Sequence, residues 1–209
     1  MSRVPRRRTS CRVVSRCLVL AAALLAVMLT PPALAARVQV RVEGKTRTIF
    51  GPTEPRLTVT ASALDALERA SAAGEFYYHL AGTGLGPYVD QIGRFAAGGG
   101  AGWVFKVNGA SPPVGADQVR LKDGDRVLWY WATFGPAGGP PTLRLVRQRG
   151  GCYRVLAEDD GGGRSPALGA TVMVDGRRVR TRSGRACVGP HHGVVRAVRA
   201  GSVRSNALP

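Results

Sequence analysis

The stretch 127-VLWYWATF-134 decides how this chain folds. Rich in β-branched and aromatic residues and preceded by the turn sequence KDGD at 122–125, it reads as a strand. Side chains alternate along a strand, so Val127, Trp129 and Trp131 share one face, and Leu128, Tyr130, Ala132 and Phe134 share the other. Both sets are apolar. Either the strand is buried on both faces, or one face presents aromatic surface that water should not see.

Working outward, WVFKVNG (103–109) supplies a partner strand with Trp103, Phe105 and Val107 on one side and Val104 and Lys106 on the other. Asn108–Gly109 is a hairpin turn signal. RVQVRVEG (37–44) alternates as a half-buried strand, with Val38, Val40 and Val42 on the core face; TRTIFG and RLTVT follow as extended pieces. SALDALERASAAG (62–74) reads as a helix: Ser62 and Asp65 form a capping box, and Ala63, Leu64, Leu67 and Ala70 make an apolar stripe. Asp65 and Arg69 are spaced to pair, and Gly74 supplies the stop. EFYYHLAG (75–82) reads as a strand, and TGLGPYVDQIGRFAAGGGAG (83–102) as a glycine-rich irregular stretch. One helix wrapped by strands implies an α+β module of β-grasp type over residues 36–135.

Beyond GPAGGPP, with a linker at 136–141, the chain shows only strand periods. TLRLVRQ, CYRVLAE, ATVMVDGRRVRT, GRACVG and GVVRAVRAG are joined by tight turns, Asp175–Gly176 being the clearest. A small all-β sandwich over residues 142–209 is the expectation.

Six arginines and no acids precede the apolar run CLVLAAALLAVMLT, and Ala33–Ala35 has a small-x-small form. Residues 1–35 read as a secretory signal peptide, the alternative being an uncleaved anchor. Cleavage would leave Cys152 and Cys187, which pair most simply as one disulfide; a reactive or metal-bound pair would lack a nearby third ligand. The expected location is therefore extracytoplasmic, secreted or attached to the envelope, with no transmembrane anchor after cleavage. Charge divides unevenly. Residues 37–136 hold 11 basic and 9 acidic residues, whereas 137–209 hold 13 arginines, no lysine and 4 acids. Arg178, Arg180 and Arg182 alternate along one expected strand; they read either as a patch for an acidic envelope polymer or as a solvated face. Export argues against nucleic acid as a partner.

SALDALERAS, GTGLGPYVDQIGRFAAGGGAGWVFKVNG and VRLKDGDRVLWYWATFG together resemble the transcobalamin C-terminal-like domain, which also occurs in bacterial surface proteins as a domain of unknown function. The resemblance spans about residues 57–135. It implies a β-grasp domain, which in vertebrate transcobalamin and intrinsic factor closes over cobalamin held against a helical barrel. By that resemblance Gly86, Pro87, Tyr88 and the segment from Trp103 lie near a ligand. This sequence shows no helical barrel, so the resemblance bears on the fold more than on cobalamin. GATVMVDGRRVRTRSGRACV and GVVRAVRAGSVRSN resemble carboxypeptidase regulatory-like or bacterial immunoglobulin-like surface domains, which implies a spacer.

Catalytic and cofactor chemistry finds little purchase. No serine or cysteine sits in a nucleophile-elbow context, and the histidines are His79 and the adjacent His191–His192, which on a strand would point to opposite faces. The acids of EDDGGG (158–163) lack the spacing of a calcium loop, and neither GTGLG nor AAGGGAG is followed by the Lys-Ser/Thr of a phosphate loop. The expected function is a non-enzymatic binding module without a cofactor, its ligand-binding residues being Gly86, Pro87, Tyr88, Trp103, Lys106, Tyr130 and Phe134. Cobalamin or another corrinoid is one ligand to test. The alternative is a structural component whose aromatic face docks another protein, and a third arrangement has the second module or a glycine-rich loop covering that face.

Overall fold

The computed structural model describes residues 35–84, 86–136 and 138–209. The expected signal segment through residue 34, with Cys11 and Cys17, lies outside the described residues, as do Leu85 of the GTGLG run and Ala137 of the expected linker. Residues 35–209 form one compact unit, mostly β with a single described helix. Among the described residues no helix is long and apolar enough to cross a membrane.

The main sheet centres on β1 (Ala36–Glu43), which lies parallel to β8 (Arg126–Thr133) with Val40 opposite Val127 and Val42 opposite Trp129. The other side of β1 is shared: its first half pairs with β3 (Arg56–Val59), its second with β2 (Thr48–Phe50). β7 (Ala101–Val107) pairs antiparallel with β8 and forms the far edge. Helix α1 (Ala63–Gly74) packs on one face. Its capping box is formed: Asp65 N–H donates to Ser62 Oγ (3.2 Å) and Ser62 N–H to Asp65 Oδ2 (2.9 Å). The Asp65 carboxylate is thus taken by the cap rather than by Arg69. Two further N–H groups at the helix start, of Ala63 and Leu64, donate to the carbonyls of Val119 and Ala116.

The helix ends differently from the expectation. Gly74 is its last residue, and Glu75 takes the left-handed cap at φ 51°. Glycine is required at 74 for closeness: a Cβ there would stand 2.6 Å from the Phe50 ring and 3.1 Å from that of Phe76.

The stretch expected to be irregular is also built. β4 (Tyr78–Thr83), β5 (Gly86–Ile92) and β6 (Phe95–Ala96) form a separate three-stranded antiparallel sheet. A register shift between His79 and Leu80 breaks the period of two, so Val89 and Ile92 are the buried residues of β5 and simple alternation fails.

The second module is a pair of sheets. β9 (Thr142–Gln148), β10 (Cys152–Glu158), β11 (Arg164–Pro166) and β14 (Arg185–Cys187) face β12 (Thr171–Val174), β13 (Arg177–Arg180) and β15 (Arg196–Val198). Leu143, Leu145, Tyr153 and Val155 from one sheet meet Val172, Val174 and Ala197 from the other in a common core. Asp175 and Gly176 both have positive φ, at 47° and 72°, as the tight turn between β12 and β13 demands. Cys152 and Cys187 sit directly opposite on β10 and β14 and are disulfide-bonded.

Candidate functional site

Residues 127–132 are buried or half-buried on both faces of the strand, and only its end, Thr133 and Phe134, is exposed. On the helix side Trp103 packs edge-on against Trp131 (5.6 Å between ring centroids), and Phe105 stacks on Trp129 (5.0 Å). On the other side Leu128, Tyr130 and Ala132 are buried with Val203 of the second module, with Val104 packed against them. The second module therefore covers much of the face that had been expected to offer a ligand surface.

Charge accompanies that cover. Arg41 and Glu43, which a half-buried β1 would turn to solvent, are 2% and 1% exposed. Glu43 accepts from Arg204 Nε (3.0 Å), Thr48 Oγ1 (3.1 Å) and Arg196, while Arg41 donates to the Arg204 carbonyl (2.7 Å) and lies 3.4 Å from Glu54. Glu54 also pairs with Arg144. Lys106, 1% exposed, donates to the carbonyls of Glu158 (3.1 Å) and Asp159 (2.7 Å), and Asp160 stands 3.3 Å away. Its ammonium is engaged inside the protein, so Lys106 is placed as a strut between modules.

Beside β7 the cover is incomplete, although Trp103 itself is only 1% exposed. A cavity of about 330 Å³ lies there, lined by Pro87, Tyr88, Trp103, Tyr130 and Phe134, five of the seven residues singled out from sequence. Leu64, Val89, Val104, Phe105, Pro112, Ala116 and Trp129 complete its apolar walls. Gly86 and Lys106 stand outside it: Gly86 sits in the β4–β5 hairpin at φ 113°, where its carbonyl accepts from Thr83 Oγ1 (2.6 Å). Tyr88 and Phe134 are 41% and 49% exposed and form the mouth.

Two polar features mark this slot. The first is a small cluster: Ser111 Oγ donates to Asp160 Oδ1 (3.3 Å), and Ser111 N–H to the Asp160 carbonyl (2.8 Å). Burial pushes the Tyr130 phenol well above its ordinary range, and the negative charge of Asp160 pushes it further. The second feature is the strand edge itself. The β7–β8 ladder is fixed by Phe134 N–H to the Gly100 carbonyl (2.9 Å) and Asn108 N–H to the Arg126 carbonyl (2.9 Å). With this register, even-numbered residues of β7 turn their backbone groups to β8 and odd-numbered ones turn outward. Ala101 bonds outward to Gly98, and Val107 to Ala110. Between them lie Trp103 and Phe105. Among the described residues no hydrogen bond reaches their outward N–H and C=O groups. This feature belongs to the backbone and has no side-chain signal in the sequence.

The other sequence-predicted groups are dispersed. Arg178 and Arg180 lie opposite Met173 and Thr171, pointing away from the core, while Arg182 lies past the end of β13 in a hairpin with Arg185. The three do not share a face, because the strand ends at Arg180 and the chain turns at Ser183–Gly184, both with positive φ. Asp159 caps its own turn through Gly163 N–H (2.7 Å), and Glu158 pairs with Arg164 (2.9 Å). His79 pairs with Asp90 (2.7 Å), and His191 bonds to the Tyr153 hydroxyl (2.7 Å). Among the described residues no three His, Cys, Asp or Glu side chains gather as metal ligands.

Residues 60–133 match the family described as a domain of unknown function, DUF4430. No curated protein matches the chain. Among solved structures, one described as a "putative metal binding protein" from Ruminococcus gnavus ATCC 29149 is similar at 17% identity and a TM-score of 0.36, covering 46% of this chain and 95% of that one. The matched family segment holds β7, β8 and α1 but stops short of β1 and of Asp160.

Proposed function

We propose that this protein is a non-enzymatic, exported binding module whose slot beside β7 takes a small ligand, or the rim of a larger one, that offers an apolar group and an amide. The observation that carries this reading is the pair of outward, unpartnered backbone groups on Trp103 and Phe105 beside an apolar cavity. An amide matches an N–H and C=O at strand spacing, and an apolar group fills the aromatic walls. The volume is at the low end of small-molecule sites, roughly 300–1,000 Å³. A corrinoid such as cobalamin is fringed with amides, and only its rim would enter a slot of this size. The first module reads as β-grasp in type: its central strands are parallel, its flanking strands antiparallel, and one helix lies on one face. The cysteines are held in a disulfide, which suits an oxidising compartment.

A second reading is favoured by the same edge: an extended segment of a partner protein adds as a strand. One set of titrations separates the two. Amide spectra of Trp103 and Phe105 are followed against cobalamin, cobinamide and capped dipeptides with an apolar side chain. The small-ligand reading expects saturable shifts at these two amides, weakened about tenfold or more in Tyr88→Ala or Phe134→Ala, whose rings are 41% and 49% exposed, with the thermal midpoint of each variant measured alongside. No shift with any of these probes, or shifts away from the slot, would overturn it.

A further inference from the structure

Four arginines gather on the outer face of the second module, away from the slot. Arg154 on β10 lies directly opposite Arg185 on β14, and both side chains are exposed on the face turned away from the core. Like charges directly opposite on neighbouring strands repel. Arg149, from the β9–β10 turn, and Arg182, from the hairpin before β14, reach the same hollow of about 510 Å³, which Gln148 and Ser183 complete. Arg144, Arg164, Arg177, Arg196 and Arg204 of this module have carboxylate partners. Among the described residues Arg149, Arg154, Arg182 and Arg185 have none; nor do Arg147, Arg178, Arg180 and Arg199, which do not line the hollow. Glu158, the acid on the same strand face as Arg154, is taken by Arg164.

We infer that this hollow binds the tetrahedral oxyanion groups, phosphate or sulfate, of an acidic polymer. Guanidinium forks suit such groups because each can donate two parallel hydrogen bonds to their oxygens. Four forks around one concavity, with an amide and a hydroxyl beside them, leave the charge for an external anion to neutralise. The concavity favours a polymer over a lone ion because successive charges can engage Arg149, the central Arg154–Arg185 pair and Arg182 together.

The full chain is titrated with inorganic polyphosphate, heparin and orthophosphate at about 50 and 300 mM salt, followed by affinity and by thermal midpoint; screening at the higher salt should weaken polymer binding severalfold or more. Arg154→Gln/Arg185→Gln is compared with Arg178→Gln/Arg180→Gln, which removes equal charge from the opposite outer face. The expected result is at least a tenfold loss of polymer affinity in the first and less than twofold in the second. Without polymer at low salt, the first variant should melt no lower than the parent, since a repulsive pair has been removed. If it fails to fold, Arg149→Gln/Arg182→Gln, in turns at the rim, gives the same readout. Equal losses in both pairs would reduce the effect to net charge and overturn the site, as would no binding at low salt. Equal stabilisation by orthophosphate at matched phosphate concentration would overturn the polymer. Polyphosphate binding without heparin binding, or the reverse, supports the site and assigns its source.

Discussion

Replacing Lys106 by methionine tests whether the two modules are one folding unit. The stem of Lys106 is buried against Tyr130, and its ammonium stands 5.9 Å from that ring's centroid. Methionine keeps most of the stem's packing and removes only the charged donor. Two charge-assisted hydrogen bonds to the Glu158 and Asp159 carbonyls are lost, each worth roughly 1.5–3 kcal/mol. The contact with Asp160 adds little, because that carboxylate is 52% exposed and screened. Against the loss, the folded state no longer bears the desolvation of a buried ammonium. The net expectation is about 3 kcal/mol of destabilisation, which lowers the urea midpoint by about 1.5 M at a slope of about 2 kcal/mol/M. Tryptophan fluorescence follows the first module, since Trp103, Trp129 and Trp131 all lie there, and far-ultraviolet circular dichroism follows both. The two transitions should coincide in the parent and move together in the variant. A loss below about 0.5 kcal/mol would refute the energetic reasoning, and separated transitions in the parent would refute the single unit.

Burial, reinforced by the hydrogen bond and charge of Glu68, pushes the Tyr78 phenol up to about 12 from 10.0. Its stabilising contribution is therefore whole below pH 10 and is lost as pH rises from 10 through about 12; ultraviolet titration of the parent minus Tyr78→Phe should show that late tyrosine, and titration near 10 would contradict it. Gly74→Ala should destabilise by roughly 1–3 kcal/mol through overpacking against Phe50 and Phe76, although the same change inside an exposed helix gains about 1 kcal/mol; chemical denaturation gives the sign directly. Cys152→Ala/Cys187→Ala should cost roughly 3–4 kcal/mol for opening a link across 35 residues, and an unchanged denaturation midpoint would refute that figure.

Local chemistry was legible where it alone decides structure. Ser62 and Asp65 announced the helix start because a capping box needs only those two side chains, and Asp175–Gly176 announced its hairpin because both residues tolerate positive φ. The heavy face of β8 was assignable because Trp103, Phe105 and Val107 repeat its pattern on the neighbouring strand. Gly74 misled because sequence cannot tell a glycine kept for its left-handed freedom from one kept for want of a Cβ. Arg41 and Glu43 misled for a related reason: alternation shows which face is polar, while burial of that face depends on a surface more than 150 residues away in Arg196 and Arg204. Tyr130 and Phe134 line the cavity as the alternation of their strand suggested, and Pro87, Tyr88 and Trp103 entered through the family resemblance; the outward edge of Trp103 and Phe105 had no such signal, since it is made of backbone and of the absence of a neighbour.

The covered face of the main sheet has a polar half and an apolar half. Arg41 and Glu43 stand on β1, while Leu128, Tyr130 and Ala132 stand on β8, so the face accepts only a cover that brings arginines to one half and an apolar residue to the other. Arg196 and Arg204 meet the first requirement and Val203 the second. A misplaced cover would strip Glu43 of Arg196 and Arg204 and leave it only Arg41, 3.4 Å away on its own strand, so the buried carboxylate would lose two of its three cations. The ionic half thus acts chiefly on orientation. Orientation in turn sets the slot, because the same cover delivers Asp160 to Ser111 and Tyr130, and the Glu158 and Asp159 carbonyls to Lys106. The segment matched by the family, residues 60–133, contains neither β1 nor Asp160. The polar end of this slot is accordingly a product of both modules, and a chain with the same domain on a different partner would keep the aromatic walls while presenting different chemistry at their base.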